Sequence, residues 1–252
     1  MRVTSGIIRN EHDTNNHQRR DYLIANQQLV KDSEVLSIPH GPDGVGFEHR
    51  KLSKKRHKKL KSKWQQLHKA KITLKEEFRE KSDAVGSYIM RNDNIDLEVI
   101  APTNYIADKQ FNEDFLEEMR PMHEEWAGVE LIGSVCYGFR QYTNNAYLLN
   151  HLDRINTHVI GSSICVDCDI NEPWPLYIEG NDHKKYYVDL KPGEHVMYES
   201  CNCIHGRPVP LEGSFYTGMY LHYRPKYNWP YEPEDVDDLL ERIKQLPGIS
   251  IF

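Results

Sequence analysis

Several features typical of secreted and membrane proteins are missing from this 252-residue sequence. It has no apolar stretch near its N-terminus and no Asn-x-Ser/Thr acceptor site, and its five cysteines are an odd number. No run is apolar and long enough to cross a membrane, and the mean hydropathy is −0.72. These absences favour a reducing intracellular compartment such as the cytoplasm, and they argue against a membrane partner.

A large excess of charge of one sign is also missing, because the net charge is −6 and the isoelectric point is near 6.1. This balance does not call for nucleic acid as a partner. A basic segment, 50–64, has the lysine density that phosphate backbones prefer, but no aromatic stacking platform accompanies it. We favour a solvated face of a scaffold helix, while attraction of an anionic substrate stays open.

The cysteines could in principle form a metal site. Cys165-x-x-Cys168 and Cys201-x-Cys203 together offer four thiolates, the ligand set of a structural zinc ion. The first pair lies in an apolar, β-branched run, where its members are expected to face opposite sides of a strand. Buried free thiols are therefore the favoured interpretation.

Two segments do carry residues with metal-ligand spacing: Tyr142 to Asp153, and Glu199 to Pro208. Residues two apart on a strand point to the same side, so His151 and Asp153 can reach one ion from a single extended segment. His205 follows about five strands later at roughly 8 to 12 residues per strand, and a jelly roll returns such a strand beside the first. Two imidazoles and a carboxylate are the facial ligand set of non-haem Fe(II) oxygenases.

Other histidines compete for these roles. His222 lies on the last predicted strand and is the rival for His205. His158 is a poor rival for His151, because using it would abandon the pairing with the aspartate. His195 lies on the penultimate predicted strand, and each of the three is more often a packed or hydrogen-bonded residue than a ligand.

Residues from about Ile132 to Pro225 resemble the catalytic core of the 2-oxoglutarate- and Fe(II)-dependent oxygenases, in particular the prolyl 4-hydroxylase-like branch. The residues that match, in chain order, are Tyr142, His151, Asp153, Pro192, Gly193 and His205. The resemblance implies a mainly β double-stranded β-helix, or jelly roll, with flanking helices. It also implies Fe(II) held by His151, Asp153 and His205, and 2-oxoglutarate as co-substrate, with Tyr142 hydrogen-bonded to it; ascorbate is an open accessory cofactor.

The implied reaction is hydroxylation of an unactivated carbon, with dioxygen consumed and succinate and CO2 released. The substrate would be a peptidyl or free amino acid, a prolyl residue among them, or another small molecule. One position departs from the family, which usually holds the distal carboxylate of 2-oxoglutarate with a lysine or arginine about ten residues beyond the second histidine. Ser214 and Phe215 stand there. Arg207 is the favoured substitute, because its guanidinium can grip a carboxylate in bidentate fashion, ahead of Arg140 and Arg154.

This departure keeps two alternatives open. The first is a cupin-like metal-binding protein or enzyme that does not use 2-oxoglutarate. The second is an inactive barrel that serves as a scaffold and interacts through its basic helix.

The chain divides, within one domain, into an irregular N-terminal arm (1–48), a helical support region (49–130), the catalytic core (131–226) and a C-terminal helical segment (227–252). Helices are predicted over 49–81, 108–126 and 233–246, with Pro121 kinking or ending the second. Strands are predicted over 132–142, 157–166, 176–179, 185–190, 194–198 and 216–223, with Asn181-Asp182 as a hairpin tip. Trp174 is expected either to cover the substrate or to anchor its loop, with equal weight.

Overall fold

The structure is a computed structural model that describes residues 40–69, 74–75, 103–106 and 108–229. Its helices are a single 3-10 turn at Pro42–Gly44, α1 (Lys54–Lys69) and α2 (Lys109–Ala127). Its strands are β1 (Phe47–Lys51), β2 (Leu74–Lys75), β3 (Thr103–Ile106), β4 (Leu131–Thr143), β5 (Leu148–His151), β6 (Ile160–Ile170), β7 (Leu176–Glu179), β8 (Lys185–Val188), β9 (Glu194–Tyr198), β10 (His205–Arg207) and β11 (Gly213–Pro225).

The strands form two antiparallel sheets. The larger has the order β1-β9-β6-β11-β4-β3-β2, and the smaller has the order β5-β10-β7-β8. From β4 to β11 the chain passes repeatedly between the two sheets, which is the connectivity of a double-stranded β-helix. The predicted fold class is confirmed, and β10 follows β5 by five strands, as the spacing of the histidines indicated.

The inner strands of the larger sheet are covered on both faces. Most of β6 and all of β9 are buried. Helix α2 packs on β4 through Phe115 and Met119, and the two elements approach closely at Gly133, where a Cβ atom would lie 2.8 Å from the Leu116 side chain. The helices therefore pack against the larger sheet.

Helix α1 begins later than the sequence indicated. The predicted helix started at residue 49, but Phe47–Lys51 form an edge strand paired with β9, and the helix starts at Lys54. Ser53 explains the late start, since its hydroxyl accepts a hydrogen bond from the Arg56 amide at 3.2 Å, as a helix N-cap does. The expected apolar stripe is present, with Leu60, Trp64 and Leu67 buried.

Four of the cations of α1 pair with acidic residues within the protein. Arg56 and Lys59 both pair with Glu118, at 3.2 and 2.5 Å, and Lys61 pairs with Asp167 at 3.0 Å. Lys63 pairs with Asp108 at 2.7 Å. These contacts support the interpretation of α1 as a scaffold helix with a solvated outer face.

Pro121 does not end α2. The helix continues to Ala127 and stops at Gly128, which has a left-handed backbone with φ 71°. Buried residues on both sides of the proline, Met119 and Trp126 among them, hold the two halves against the sheet, and this packing outweighs the lost backbone hydrogen bond.

The remaining predicted elements differ mainly at their ends. The strands at 176–179 and 194–198 match, whereas β4 and β11 extend beyond their predicted limits, β6 begins and ends later than predicted, and β8 is shorter. The turn at Asn181-Asp182 joins β7 to β8 as predicted. Residues 1–39, the predicted helix 233–246 and parts of the predicted helix 49–81 (70–73 and 76–81) lie outside the described residues. Within the latter range, Leu74–Lys75 form strand β2 and not helix. Among the described helices, none has the length and apolarity needed to span a bilayer.

Candidate metal and co-substrate site

The structure brings His151, Asp153 and His205 together. One potential ligand atom from each lies within 4.8 Å of the others, and all three residues are buried. Within the described residues this is the one group of three or more histidine, cysteine or acidic side chains with such geometry. The Nε2 atoms of His151 and His205 lie 3.5 and 3.8 Å from Oδ1 of Asp153. The three side chains thus converge on one small volume.

Strand pairing explains this convergence. His151 is the last residue of β5 and lies directly opposite His205, the first residue of β10. Asp153 follows two residues later, just past the strand end, and its backbone amide donates to the Ser200 carbonyl at 2.9 Å. The tight pairing of β5 with β10 requires Gly206, where a Cβ atom would lie 2.6 Å from Oδ1 of Asn150.

His205 is held in an orientation suited to ligation. Its Nδ1 lies 2.9 Å from the Cys203 carbonyl and donates to it, which leaves the Nε2 lone pair facing Asp153. Tyr198 packs edge-on against the ring at 4.7 Å. The tautomer and the direction of the ring are therefore set by the protein.

The protonation states also suit a cation. Burial lowers the pKa of His205 to about 4, and repulsion from His151 acts in the same direction, so the ring is neutral near pH 7. Burial alone would raise the pKa of Asp153, but the imidazoles of His205, His151 and His222 outweigh it and hold that pKa below its ordinary value. A neutral imidazole beside a carboxylate is the donor set that Fe(II) accepts, so these residues fit such an ion.

The three residues line a pocket. Its other lining residues are Tyr137, Arg140, Tyr142, Leu148, His158, Leu176, Tyr198, Arg207, Tyr220 and His222. Arg207 and Tyr142 both reach it, as the sequence interpretation requires, and so does Arg140. Arg154 is exposed.

Arg207 is 1 % exposed, and its guanidinium lies between two aromatic rings. The guanidinium carbon is 4.6 Å from the Trp174 ring centre and 4.4 Å from that of Tyr216. It donates to the Trp174 carbonyl and, at 2.8 Å, to the Tyr216 hydroxyl, while its Nε has no hydrogen-bond partner. Among the described residues, no carboxylate pairs with it.

Trp174 anchors its loop. It is 2 % exposed, donates from its indole nitrogen to the Val209 carbonyl at 2.6 Å, and packs edge-on against Tyr142 and Tyr216. Of the two roles left open for it, the structure supports anchoring, because the indole is bonded within the protein and is not among the residues that line the pocket. It also forms one wall of the Arg207 cage.

Tyr142 is fully buried at the same end of the pocket. Its hydroxyl lies 3.4 Å from that of Tyr220, and the Arg140 guanidinium carbon is 5.0 Å from its ring centre. Sequence reasoning missed Tyr198, Tyr216 and Tyr220 as lining or cage residues. The alternation of Tyr220 with His222 on β11 was the available signal, since it places both on one face.

His222 and His158 do not join the group of three. Nδ1 of His222 lies 3.6 Å from Oδ2 of Asp153, on the far side of the carboxylate. The His158 ring packs at a tilt against the His222 ring, with centres 4.0 Å apart. Neither ring replaces His151 or His205 in this arrangement.

The four cysteines do not gather into a zinc site, and all five in the chain are free. The expectation that Cys165 and Cys168 face opposite sides is wrong. The pairing of β6 with β11 shifts register between Cys165 and Asp167, and this bulge turns both thiols to the same side, where they hydrogen-bond. That bond and burial raise the pKa of Cys165.

No protein-family model matches the sequence, and no curated protein matches it. Solved structures do match. A prolyl-4-hydroxylase from Pseudomonas putida superposes with a TM-score of 0.52 at 14 % identity, over 72 % of this chain and 94 % of that one. A non-haem α-ketoglutarate-dependent epimerase, SnoN from nogalamycin biosynthesis, gives 0.54 at 12 %, over 82 % and 87 %. The chain has the fold of the 2-oxoglutarate- and Fe(II)-dependent oxygenases.

A third structure extends this likeness to nearly the full length of its own chain. The prolyl hydroxylase of Trichoplax adhaerens, in complex with a peptide fragment of the hypoxia inducible factor oxygen degradation domain, matches with a TM-score of 0.50 at 10 % identity. The match covers 87 % of this chain and 97 % of that one. At these identities the likeness concerns the oxygenase fold.

Proposed function

We propose that this protein is an Fe(II)- and 2-oxoglutarate-dependent dioxygenase that hydroxylates an unactivated carbon of a peptidyl or free amino acid, or of another small molecule. The observation that carries the proposal is the buried group of His151, Asp153 and His205 in a pocket that also holds the Arg207 guanidinium. The oxygenase fold supports it, since prolyl hydroxylases and a small-molecule epimerase share that fold.

In this proposal His151, Asp153 and His205 hold the iron. Bound there, Fe(II) would supply the dioxygen chemistry that amino-acid side chains lack. The chain contributes a neutral His205 whose Nδ1–H donates to the Cys203 carbonyl, and an ionised Asp153 that offsets the charge of the metal. With only three protein ligands, an ion held there would keep positions for the co-substrate and dioxygen.

Arg207 would bind the distal carboxylate of 2-oxoglutarate. A buried cation normally pairs with an anion, and the described residues supply none. Its aromatic cage excludes water, which strengthens a charge-assisted hydrogen bond, and Tyr142 at the same end would donate to the co-substrate. Arg207 would therefore take the place of the basic side chain that the family usually has at the position of Ser214 or Phe215.

A metal protein that does not use 2-oxoglutarate is the second candidate. It is favoured by one observation: two of the Arg207 donors already bond to Trp174 and Tyr216 within the protein. The scaffold alternative gains no such support, because four of the cations of α1 pair with acidic residues of the same chain. We further propose that residues 131–226 form the catalytic core and that residues 49–130 support it.

Formation of succinate from 2-oxoglutarate tests the proposal. Purified protein with Fe(II) and air, offered a panel of prolyl peptides and free amino acids, is expected to release succinate. His151→Ala and Asp153→Ala should abolish release without loss of the fold, because each removes a metal ligand. His68→Ala, an exposed histidine of α1, is the matched control and should keep full activity. Undiminished release from Asp153→Ala would contradict the assignment of the site.

A further inference from the structure

The two carboxylate oxygens of Asp153 have different neighbours. Oδ1 faces His151 and His205, the side on which the metal would lie. Oδ2 faces the other way, toward Nδ1 of His222 at 3.6 Å. Both of these atoms are buried and neither has a hydrogen-bond partner. Two unsatisfied polar atoms that face each other across slightly more than hydrogen-bond distance indicate a bond that is nearly formed.

The surroundings of His222 fix its ring in this place. His222 is 6 % exposed and belongs to β11, between the paired strands β4 and β6. Its ring packs on the His158 ring at 4.0 Å and meets the edge of Tyr137 at 6.1 Å. A rigid strand and two aromatic neighbours leave the imidazole little freedom to turn away from Asp153.

His158 packs against the His222 ring and does not bind the Asp153 carboxylate. Its Nδ1 is engaged by the Thr157 hydroxyl at 2.6 Å and its Nε2 by the Tyr137 hydroxyl at 3.2 Å. Its backbone carbonyl accepts from the Ser200 hydroxyl at 2.8 Å. With both of its nitrogens hydrogen-bonded to other residues, His158 contacts His222 through the packing of the two tilted rings.

We propose that His222 is a positioning residue for the metal centre: its Nδ1–H donates to Oδ2 of Asp153 and so directs Oδ1 toward the metal. Ligating carboxylates are generally hydrogen-bonded by a second layer of residues, and loss of such a partner weakens metal binding by roughly 10- to 100-fold. This inference rests on the proposed function, because it assumes that the triad holds a metal.

The test measures the affinity of metal-free full-length protein for Mn(II) by calorimetry, without any assay of turnover. His222→Phe keeps the ring and the packing but removes the donor, so we expect the dissociation constant to rise by about 10- to 100-fold. His222→Asn places an amide nitrogen where Nδ1 stood and should restore most of the affinity. His222→Gln is as polar but carries its amide one bond further out, and it should behave like His222→Phe.

Thermal unfolding of the metal-free variants provides the control for folding. If His222 only stabilised the fold, the Mn(II) affinity of each variant would fall with its unfolding temperature. The proposal predicts instead that His222→Asn and His222→Gln differ in Mn(II) affinity even when their unfolding temperatures are similar. Equal Mn(II) affinity in wild type and His222→Phe would overturn the inference and leave the proposed function intact. Loss of binding as complete as in His205→Ala, without rescue by Asn, would make His222 a ligand and would also overturn it. No binding by the wild type would overturn both.

Discussion

At the scale of single residues, Arg207 has unusual surroundings for a charged side chain. It is one of the largest fully buried side chains, yet it lies among tyrosines and a tryptophan, and no acid pairs with it in the described part of the chain. Burying a cation in this way costs free energy, which a bound anion would offset. The cost of Arg207 in the unliganded protein is thus a reason to expect a carboxylate ligand.

Replacement of Arg207 by methionine should weaken the binding of 2-oxoglutarate. We expect the dissociation constant for 2-oxoglutarate to rise by roughly 10- to 100-fold, from the loss of charge-assisted bonds worth about 1.5 to 3 kcal/mol. Calorimetry of the Mn(II)-loaded protein measures this. Arg154→Met, which alters an exposed arginine, should leave the constant unchanged. An unaltered affinity in Arg207→Met would place the anchor elsewhere.

At the scale of elements, α1 shows how a basic helix can be a scaffold. Its apolar stripe of Leu60, Trp64 and Leu67 is buried, and four of its cations pair with acids on α2, on β6 or at the start of α2. Exposed ion pairs contribute little, typically under about 1 kcal/mol each. The attachment of this helix therefore depends on the apolar stripe.

Truncation of the stripe should be costly. Leu60 is fully buried, so Leu60→Ala should lower the free energy of unfolding by about 2 to 5 kcal/mol, through lost burial and the cavity left behind. Urea denaturation measures the difference. Lys58→Ala, on the exposed face of the same helix, should change it by less than about 0.5 kcal/mol. A similar loss in both variants would show that α1 is not held by its apolar face.

The elements also show how far sequence patterns reach. The His-x-Asp spacing and the later histidine predicted the three grouped residues, because strand periodicity and jelly-roll connectivity together fix which side chains meet. The pattern did not predict that β1 replaces the start of α1, since an edge strand gains its stability from pairing with β9 and not from its own sequence. A bulge such as that near Cys165 is equally hidden, because it depends on register with a distant strand.

The pocket was predicted only in part for the same reason. Tyr142 and Arg207 were found through the resemblance to the oxygenase family, which supplies the order of residues along the chain. Tyr216 and His222 were not assigned their places, because their proximity to Arg207 and Asp153 arises from the pairing of long strands. Contacts between distant segments are where sequence periodicity carries the least information.

At the scale of the whole molecule, two buried histidines tie stability to pH. Burial lowers the pKa of His123 to about 4 and that of His195 to about 3, so both rings are neutral in the folded protein near pH 7. In the unfolded chain a histidine has a pKa near 6.5. The unfolded state therefore binds more protons below that pH, and the folded state loses stability as the pH falls from about 6.5 toward 4.

Replacement of one of these two histidines should make the free energy of unfolding depend less on pH. His195→Asn keeps a polar partner for Ser162, which lies 3.2 Å from Nδ1 of His195, but it cannot take up a proton. In urea denaturation of metal-free protein, the wild type should lose up to about 1.4 kcal/mol more per pH unit than the variant between pH 6.5 and 4. Parallel profiles would mean that His195 does not contribute to acid destabilisation.

The most direct test of the account is anaerobic calorimetry of the metal-free protein, first with Fe(II) or Mn(II) and then with 2-oxoglutarate. We expect wild type to bind the metal and to bind 2-oxoglutarate only afterwards, and His205→Ala to bind neither. Metal binding without any binding of 2-oxoglutarate would support the alternative metal protein. Failure of the wild type to bind the metal would contradict the central claim that His151, Asp153 and His205 form an iron site.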